Sequence, residues 1–174
     1  MLKRAVLFAN GEMPDKKLIQ PFLNPDDVYI AVDGGLRHLR GLGKTPALLI
    51  GDLDSLTAAE VEEAEAQGVE VRRFKVDKDE TDLELALLAA AEMEVQEIVV
   101  IAALGGRLDH TLANLSLLAL PQLEGIRVTF ENGTEEVFLI RREAEIKGSA
   151  GDIVSLVPCF GAAVGVQTRD LKYP

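Results

Sequence analysis

Cysteine is nearly absent from this chain: Cys159 stands alone in 174 residues. No internal disulfide can form, and nothing asks for an oxidising compartment. Basic residues are the minority, 18 Lys and Arg against 29 Asp and Glu, for a net charge of −11 with both histidines neutral. Such a field repels nucleic acid and anionic membrane as bulk partners. It also makes entry of any polyanionic small molecule depend on local cations or a metal, whereas a cationic substrate is drawn in. Long apolar runs are missing too. The run after Lys3 and Arg4 covers only Ala5 to Ala9, too short for a secretory signal, and the stretch Ile98 to Leu104 could not span a bilayer. These absences predict a soluble, cytoplasmic protein.

Familiar signatures are lacking as well. Gly43-Lys44-Thr45 has the ending of a Walker A loop, but His38 fills the required first glycine position. Pro46 then follows where a helix is needed. No G-x-G-x-x-G follows the first apolar run, which argues against a dinucleotide site of that type. His38 and His110 are too far apart to read as a local metal pair, and Cys159 has no base near it in sequence.

What is present is an ordinary globular balance, 48% apolar and 27% charged. Short apolar runs alternate with helical patterns. Ala5–Ala9, Val28–Val32, Ala47–Ile50, Val69–Phe74, Ile98–Leu104 and Ile126–Phe130 read as strands. Runs apolar throughout suit strands buried on both faces of a parallel sheet. Thr57 and Glu60 form a capping box ahead of a helix that Gly68 ends. Thr81 and Glu84 repeat the box before a helix running to about Met93, apolar nearly all round and therefore buried. Asp109 is the expected cap of a third helix, stopped by Pro121. This alternation predicts a doubly wound, mostly parallel α/β sheet, Rossmann-like, over residues 1–130. After Asn132-Gly133 the pattern turns to short strands at Val137–Ile140, Ile153–Val157 and Ala162–Val166. A small all-β domain over residues 131–174 is expected, too short to stand alone as a sandwich.

The aspartates fall at the strand ends. The second strand ends in Asp33-Gly34-Gly35, the third in Gly51-Asp52-Leu53-Asp54-Ser55. The fourth is followed by Asp77-Lys78-Asp79-Glu80-Thr81-Asp82, and the fifth runs into Gly105-Gly106-Arg107-Leu108-Asp109-His110. In an open parallel sheet, ligands bind outside the carboxyl ends of the strands, so these loops share one edge. Asp33 or Asp109 alone reads as a turn or cap residue, but four acidic loops together do not. Clustered carboxylates are penalised unless a cation sits among them, and an oxygen-only set favours Mg²⁺, then Mn²⁺. Mg²⁺ completes its shell with waters and phosphates, which implies a phosphate-bearing ligand. Asp52-x-Asp54 can place both carboxylates on one side of an extended segment. A haloacid-dehalogenase-type phosphatase would use such a pair, but it needs the pair on the leading strand and leaves the other loops unexplained. The paired glycines permit close backbone approach to phosphate. Arg107 is the best-placed cation for phosphate oxygens, with Lys78 second and more readily read as a solvated side chain.

These blocks, in this order and spacing, resemble the thiamine pyrophosphokinase family. Leu171-Lys172-Tyr173-Pro174 is similar to a signature of that family's second domain. The resemblance implies a homodimer that moves a diphosphate from ATP to the hydroxyl of thiamine, giving thiamine diphosphate and AMP. By motif position, Asp52, Asp54 and Asp82 would hold Mg²⁺, while Asp79, Asp82, Arg107 and Asp109 would line the reaction site. Asp33, Gly34, Gly35, Asp52, Asp54, Ser55, Thr81, Gly105, Gly106 and Arg107 would receive ATP. The general base is open between Asp79 and Asp109. Asp170 stands where the family has a glycine, and the family's second domain runs on past this signature into further strands, so residues 131–174 are expected to be an incomplete thiamine-binding and dimerisation domain. Two alternatives keep the nucleotide half: transfer to another alcohol such as a hydroxymethyl pterin, or a nucleotide-binding module without catalysis.

Overall fold

A computed structural model describes residues 3–159 and 161–172. Tyr173 and Pro174, the end of the late signature, lie outside the described residues. The chain divides into two units, residues 1–140 and 141–174.

The first unit is a seven-stranded sheet. Its strands are β1 (Arg4–Phe8), β2 (Val28–Val32), β3 (Leu48–Gly51), β4 (Glu70–Arg73), β5 (Glu97–Ile101), β6 (Arg127–Glu131) and β7 (Glu136–Phe138). The spatial order is β4-β3-β2-β1-β5-β6-β7. The first six strands are parallel, and β7 alone runs antiparallel, to β6. The order reverses between β1 and β5, the switch point at which a crevice opens in such sheets.

Side-chain alternation on β1 explains the two layers. Ala5, Leu7 and Ala9 enter one core with Ile30, Leu48, Leu87, Ile98 and Phe130. Val6 and Phe8 enter the other with Tyr29, Leu36, Leu39, Val61 and Ala64. Helix α4 (Asp82–Glu92) covers the first face. Helices α2 (Gly35–Gly41) and α3 (Ala58–Ala66) cover the second, where the single turn α1 (Lys16–Ile19) adds the buried Ile19. Each large side chain buried this way contributes roughly 1.5–3 kcal/mol, before entropy is subtracted. A helix α5 (Leu108–Ser116) follows β5.

The punctuation read from the sequence is found around α3. Thr57 and Glu60 make both halves of the capping box, and Gly68 adopts φ +83 just past the helix end. Two expectations change. Asp109 does not cap α5; the cap position is Arg107, and Asp109 lies inside the first turn with its carboxylate held by that arginine. The boundary drawn at residue 130 moves to Ile140, because Glu136–Phe138 returns to hydrogen-bond with β6 across the Asn132-Gly133 turn. β4 also differs from its inner neighbours: Glu70 and Arg73 are exposed on an open edge.

Among the described residues of the second unit no strand is assigned, so the small all-β domain is not seen as a sheet. Several apolar side chains there face solvent, with Ile153 and Val164 both above 90% exposed. Asp170 adopts φ +62, the left-handed conformation that a glycine would take at that place.

Candidate active site

Two neighbouring parallel strands and one helix start deliver three carboxylates to one point. Asp33 ends β2, Asp52 follows β3, and Asp82 opens α4, each offering one oxygen within 4.8 Å of the others. Asp33 is 6% exposed and sits at φ +49, a conformation an aspartate adopts only at a cost. Its amide donates to Ile50 O at 2.9 Å, which fixes the backbone at the strand end. Its Oδ2 accepts from Asn10 Nδ2 at 3.0 Å, while its buried Oδ1 accepts no hydrogen bond from any described residue. A buried carboxylate oxygen without a donor is expensive unless a cation takes that place.

Gly51 makes room for the group. At φ +146 it lies between Asp33 and Asp82, and a Cβ there would come within 3.3 Å of the Asp33 Cβ and within 3.2 Å of the Asp82 carboxyl carbon. The three-carboxylate, oxygen-only donor set suits a hard divalent cation such as Mg²⁺. Together with the orphaned Asp33 oxygen and the small-residue gap, it fits one. Lys78 lies beside it: Nζ is 2.8 Å from Asp82 Oδ1, an ion pair without hydrogen-bond alignment, and the lysine side chain is only 14% exposed. The solvated reading of Lys78 is therefore replaced by a cation lodged against the acidic group.

Asp54 lies outside the trio. The Asp52-Leu53-Asp54 segment is not extended: buried Leu53 turns through φ +64, and the Asp54 amide donates to Asp52 Oδ1 at 3.1 Å. The turn leaves Asp54 exposed, where it accepts from Ser55 Oγ at 3.4 Å. Asp79 is exposed on the loop before α4, and Thr81 caps that helix by accepting from the Glu84 amide at 3.1 Å.

Gly34 and Gly35 are needed for packing. A Cβ on Gly34 would overlap the Asn10 side chain, and one on Gly35 would overlap the Phe8 carbonyl, so α2 starts hard against β1. Gly105 and Gly106 differ. Both have positive φ, +92 and +65, and neither has a neighbour within 3.4 Å of an added Cβ, so backbone conformation sets their identity. They lead to Arg107, which grips Asp109 through Nε at 3.1 Å and Nη2 at 2.6 Å. Both side chains are mostly exposed, and the guanidinium holds the Asp109 carboxyl below the usual carboxylate range. Beside this loop a cleft of about 460 Å³ is lined by Glu12, Asp15, Leu104, Gly105, Thr111 and Asn132 among others. Its lining comes from the segments after β1, β5 and β6, and none of the three carboxylates is part of it.

Asn10 is the residue that sequence reading misses. It stands at the end of the first strand, on the edge that carries every acidic loop, and that placement is the available signal. His38 proves to be a structural tie, since its Nε2 lies 2.9 Å from Gly11 O and links α2 to the loop after β1.

Comparison with known proteins shows the family. The family profile described as the catalytic domain of thiamin pyrophosphokinase matches residues 19–130, well over half of the chain. The chain belongs to the thiamin pyrophosphokinase catalytic-domain family. A thiamine pyrophosphokinase of Bacillus subtilis is 37% identical over 91 residues, 52% of this chain and 42% of that protein. The crystal structure of a family protein from Enterococcus faecalis superposes with a TM-score of 0.64 at 30% identity, covering 77% of this chain and 63% of that one. The yeast thiamin pyrophosphokinase structure shares the fold at 17% identity, with a TM-score of 0.66, over 80% of this chain and 61% of its own. The chain thus spans less than two thirds of the length of these relatives.

Proposed function

We propose that this chain carries the catalytic half of a Mg²⁺-dependent thiamine pyrophosphokinase, transferring an intact diphosphate from ATP to the hydroxyl of thiamine. The observation that carries the reading is the convergence of Asp33, Asp52 and Asp82, with buried oxygens of Asp33 and Asp82 that accept no hydrogen bond from the described residues, in a chain of this family. Those three residues would hold the cation, which when bound would offset phosphate charge as AMP departs. Asp54, by way of Ser55, supports the trio from outside.

In the reaction a bond forms between the hydroxyl oxygen and the β-phosphorus, and the bond from that phosphorus to the oxygen left on AMP breaks. Such transfers ask for alignment and charge compensation more than for a strong base. Arg107 and Lys78 supply cations on either side of the switch point, a necessity for ATP against a net charge of −11. Arg107 reaches phosphate by releasing Asp109. Asp79 and Asp109 are the two carboxylates for the hydroxyl proton, and pairing to Arg107 lowers the proton affinity of Asp109. Thiamine is a cation and suits an acidic edge.

The acceptor pocket is assigned to residues 141–174 together with a second copy of the chain. The solvent-facing Ile153, Val157 and Val164 support a homodimer in which such side chains are covered. A cytoplasmic location accords with the single exposed cysteine, and no helix among the described residues is long and apolar enough to cross a membrane.

The test is AMP formation on mixing the chain with ATP, Mg²⁺ and thiamine, with each component omitted in turn. AMP that needs all three, matched by thiamine diphosphate, is the expected result. ATP binding without thiamine-dependent AMP would overturn it, and turnover with a hydroxymethyl pterin instead would reassign the acceptor.

A further inference from the structure

We propose that Asn10 is the positioning residue of the acidic group, its amide setting Asp33 for a divalent cation by donating both hydrogens at once. This rests on reading Asp33, Asp52 and Asp82 as a cation site. One hydrogen goes to Asp33 Oδ2 at 3.0 Å and the other to Ser55 Oγ at 2.8 Å. The acceptor-only carboxylate dictates that the nitrogen, not the oxygen, of the amide faces Asp33. Ser55 passes its own hydrogen to Asp54 Oδ1 at 3.4 Å, so the direction of every donor in the chain is set. One side chain thereby joins the loops after β1, β2 and β3.

The amide is itself held. Asn10 follows Ala9, whose N–H donates to Ile101 O at 2.9 Å, and precedes Gly11, whose N–H donates to Ala102 O at 3.0 Å. Gly34 packs so closely on the Asn10 side chain that no Cβ fits between them. The consequence lies at Asp33. One carboxylate oxygen is consumed by a neutral donor, the charge is kept, and the second oxygen is left buried without a hydrogen bond. Groups that orient a metal-binding carboxylate in this way commonly alter metal affinity 10–100-fold, roughly, when removed.

No other side chain of this reach does the same. Aspartate has the shape without the donors, serine brings one donor on a shorter arm, and alanine brings none.

The experiment measures Mn²⁺ binding by calorimetry on the full chain without nucleotide or thiamine, alongside the thermal midpoint of the metal-free protein. The variants are Asn10→Ala, Asn10→Ser, Asp33→Asn and the double variant N10A/D33N. Asn10→Ala is expected to weaken Mn²⁺ about tenfold or more, at the low end of the range for such orienting groups. Asn10→Ser should lose less, and the metal-free midpoint should fall only modestly, by what the lost donor to Asp33 Oδ2 costs. In the Asp33→Asn background the further loss from Asn10→Ala should vanish, since Asn10 acts through Asp33. Parent-like Mn²⁺ affinity in Asn10→Ala overturns the proposal, as does a loss that persists undiminished beside Asp33→Asn. An unaltered chain that binds no Mn²⁺ overturns the cation reading itself, and this inference falls with it. A parent that binds beside an indifferent Asn10→Ala leaves the cation reading standing and removes Asn10 alone.

Discussion

Single residues at the sheet edge carry opposing charges at short range, and their substitutions have definite signs. Lys78 sets an ammonium 2.8 Å from Asp82 Oδ1, where it competes with any divalent ion for the same carboxylate. Lys78→Met should tighten Mn²⁺ binding several-fold in the absence of ATP, as titration calorimetry would show, while slowing turnover if the ammonium is passed to phosphate. Glu131, at the end of β6, presents the reverse case of an acid set in an apolar surround. Burial raises its pKa above the ordinary glutamate value, with a smaller push from Glu136. An acid whose folded pKa is raised adds stability below its unfolded pKa and loses it as pH climbs through the folded one. Glu131→Gln should therefore raise the urea midpoint near neutral pH, and the gain should disappear in acid below the glutamate range. Its hydrogen bond from the Gly133 amide at 2.6 Å can pass to the glutamine oxygen.

Elements are legible in the sequence in proportion to how local their causes are. The capping box at Thr57 and Glu60 depends on four consecutive residues, and it forms as read, with Thr57 Oγ1 accepting from the Glu60 amide at 3.3 Å. Thr57→Ala should cost about 1 kcal/mol of stability, read as a lower thermal midpoint with the sheet intact. The strands β1, β2, β3 and β5 are equally plain, since burial on both faces demands apolar runs, whereas β6 buries Thr129 and Glu131 among its apolar residues. The short β7 is visible as a strand but not as a member of this sheet, because only its register with β6 reveals which neighbours it joins. The site is legible as an edge and not as a geometry. Four acidic loops announce it, yet the choice of Asp33 over Asp54 depends on the left-handed turn at Leu53, which no pattern in Asp52-Leu53-Asp54 discloses. Asn10 is hidden for a related reason: its partners, Asp33 and Ser55, lie on other loops.

At the scale of the molecule, every strand and helix assigned among the described residues lies before Arg141. A chain ending at Ile140 should unfold in one cooperative transition and bind Mn²⁺ like the full chain, but lose thiamine-dependent AMP formation. Retention of that activity would place the acceptor pocket wholly in the first unit. The two rims of the sheet also differ in a way that governs handling of the protein. On one side β7 turns back and shields β6. On the other, β4 is the end strand and pairs with no further strand among the described residues, guarded by Glu70, Arg72 and Arg73, with Arg72 Nε 2.7 Å from Glu70 Oε1. Another chain that added a strand there would have to strip water from these charges, and this keeps the rim solitary in dilute buffer. Concentrated salt weakens that protection by screening. Precipitation during salt fractionation or crystallisation should therefore begin along β4, and apolar replacements at Arg72 and Arg73 should bring it on at lower salt.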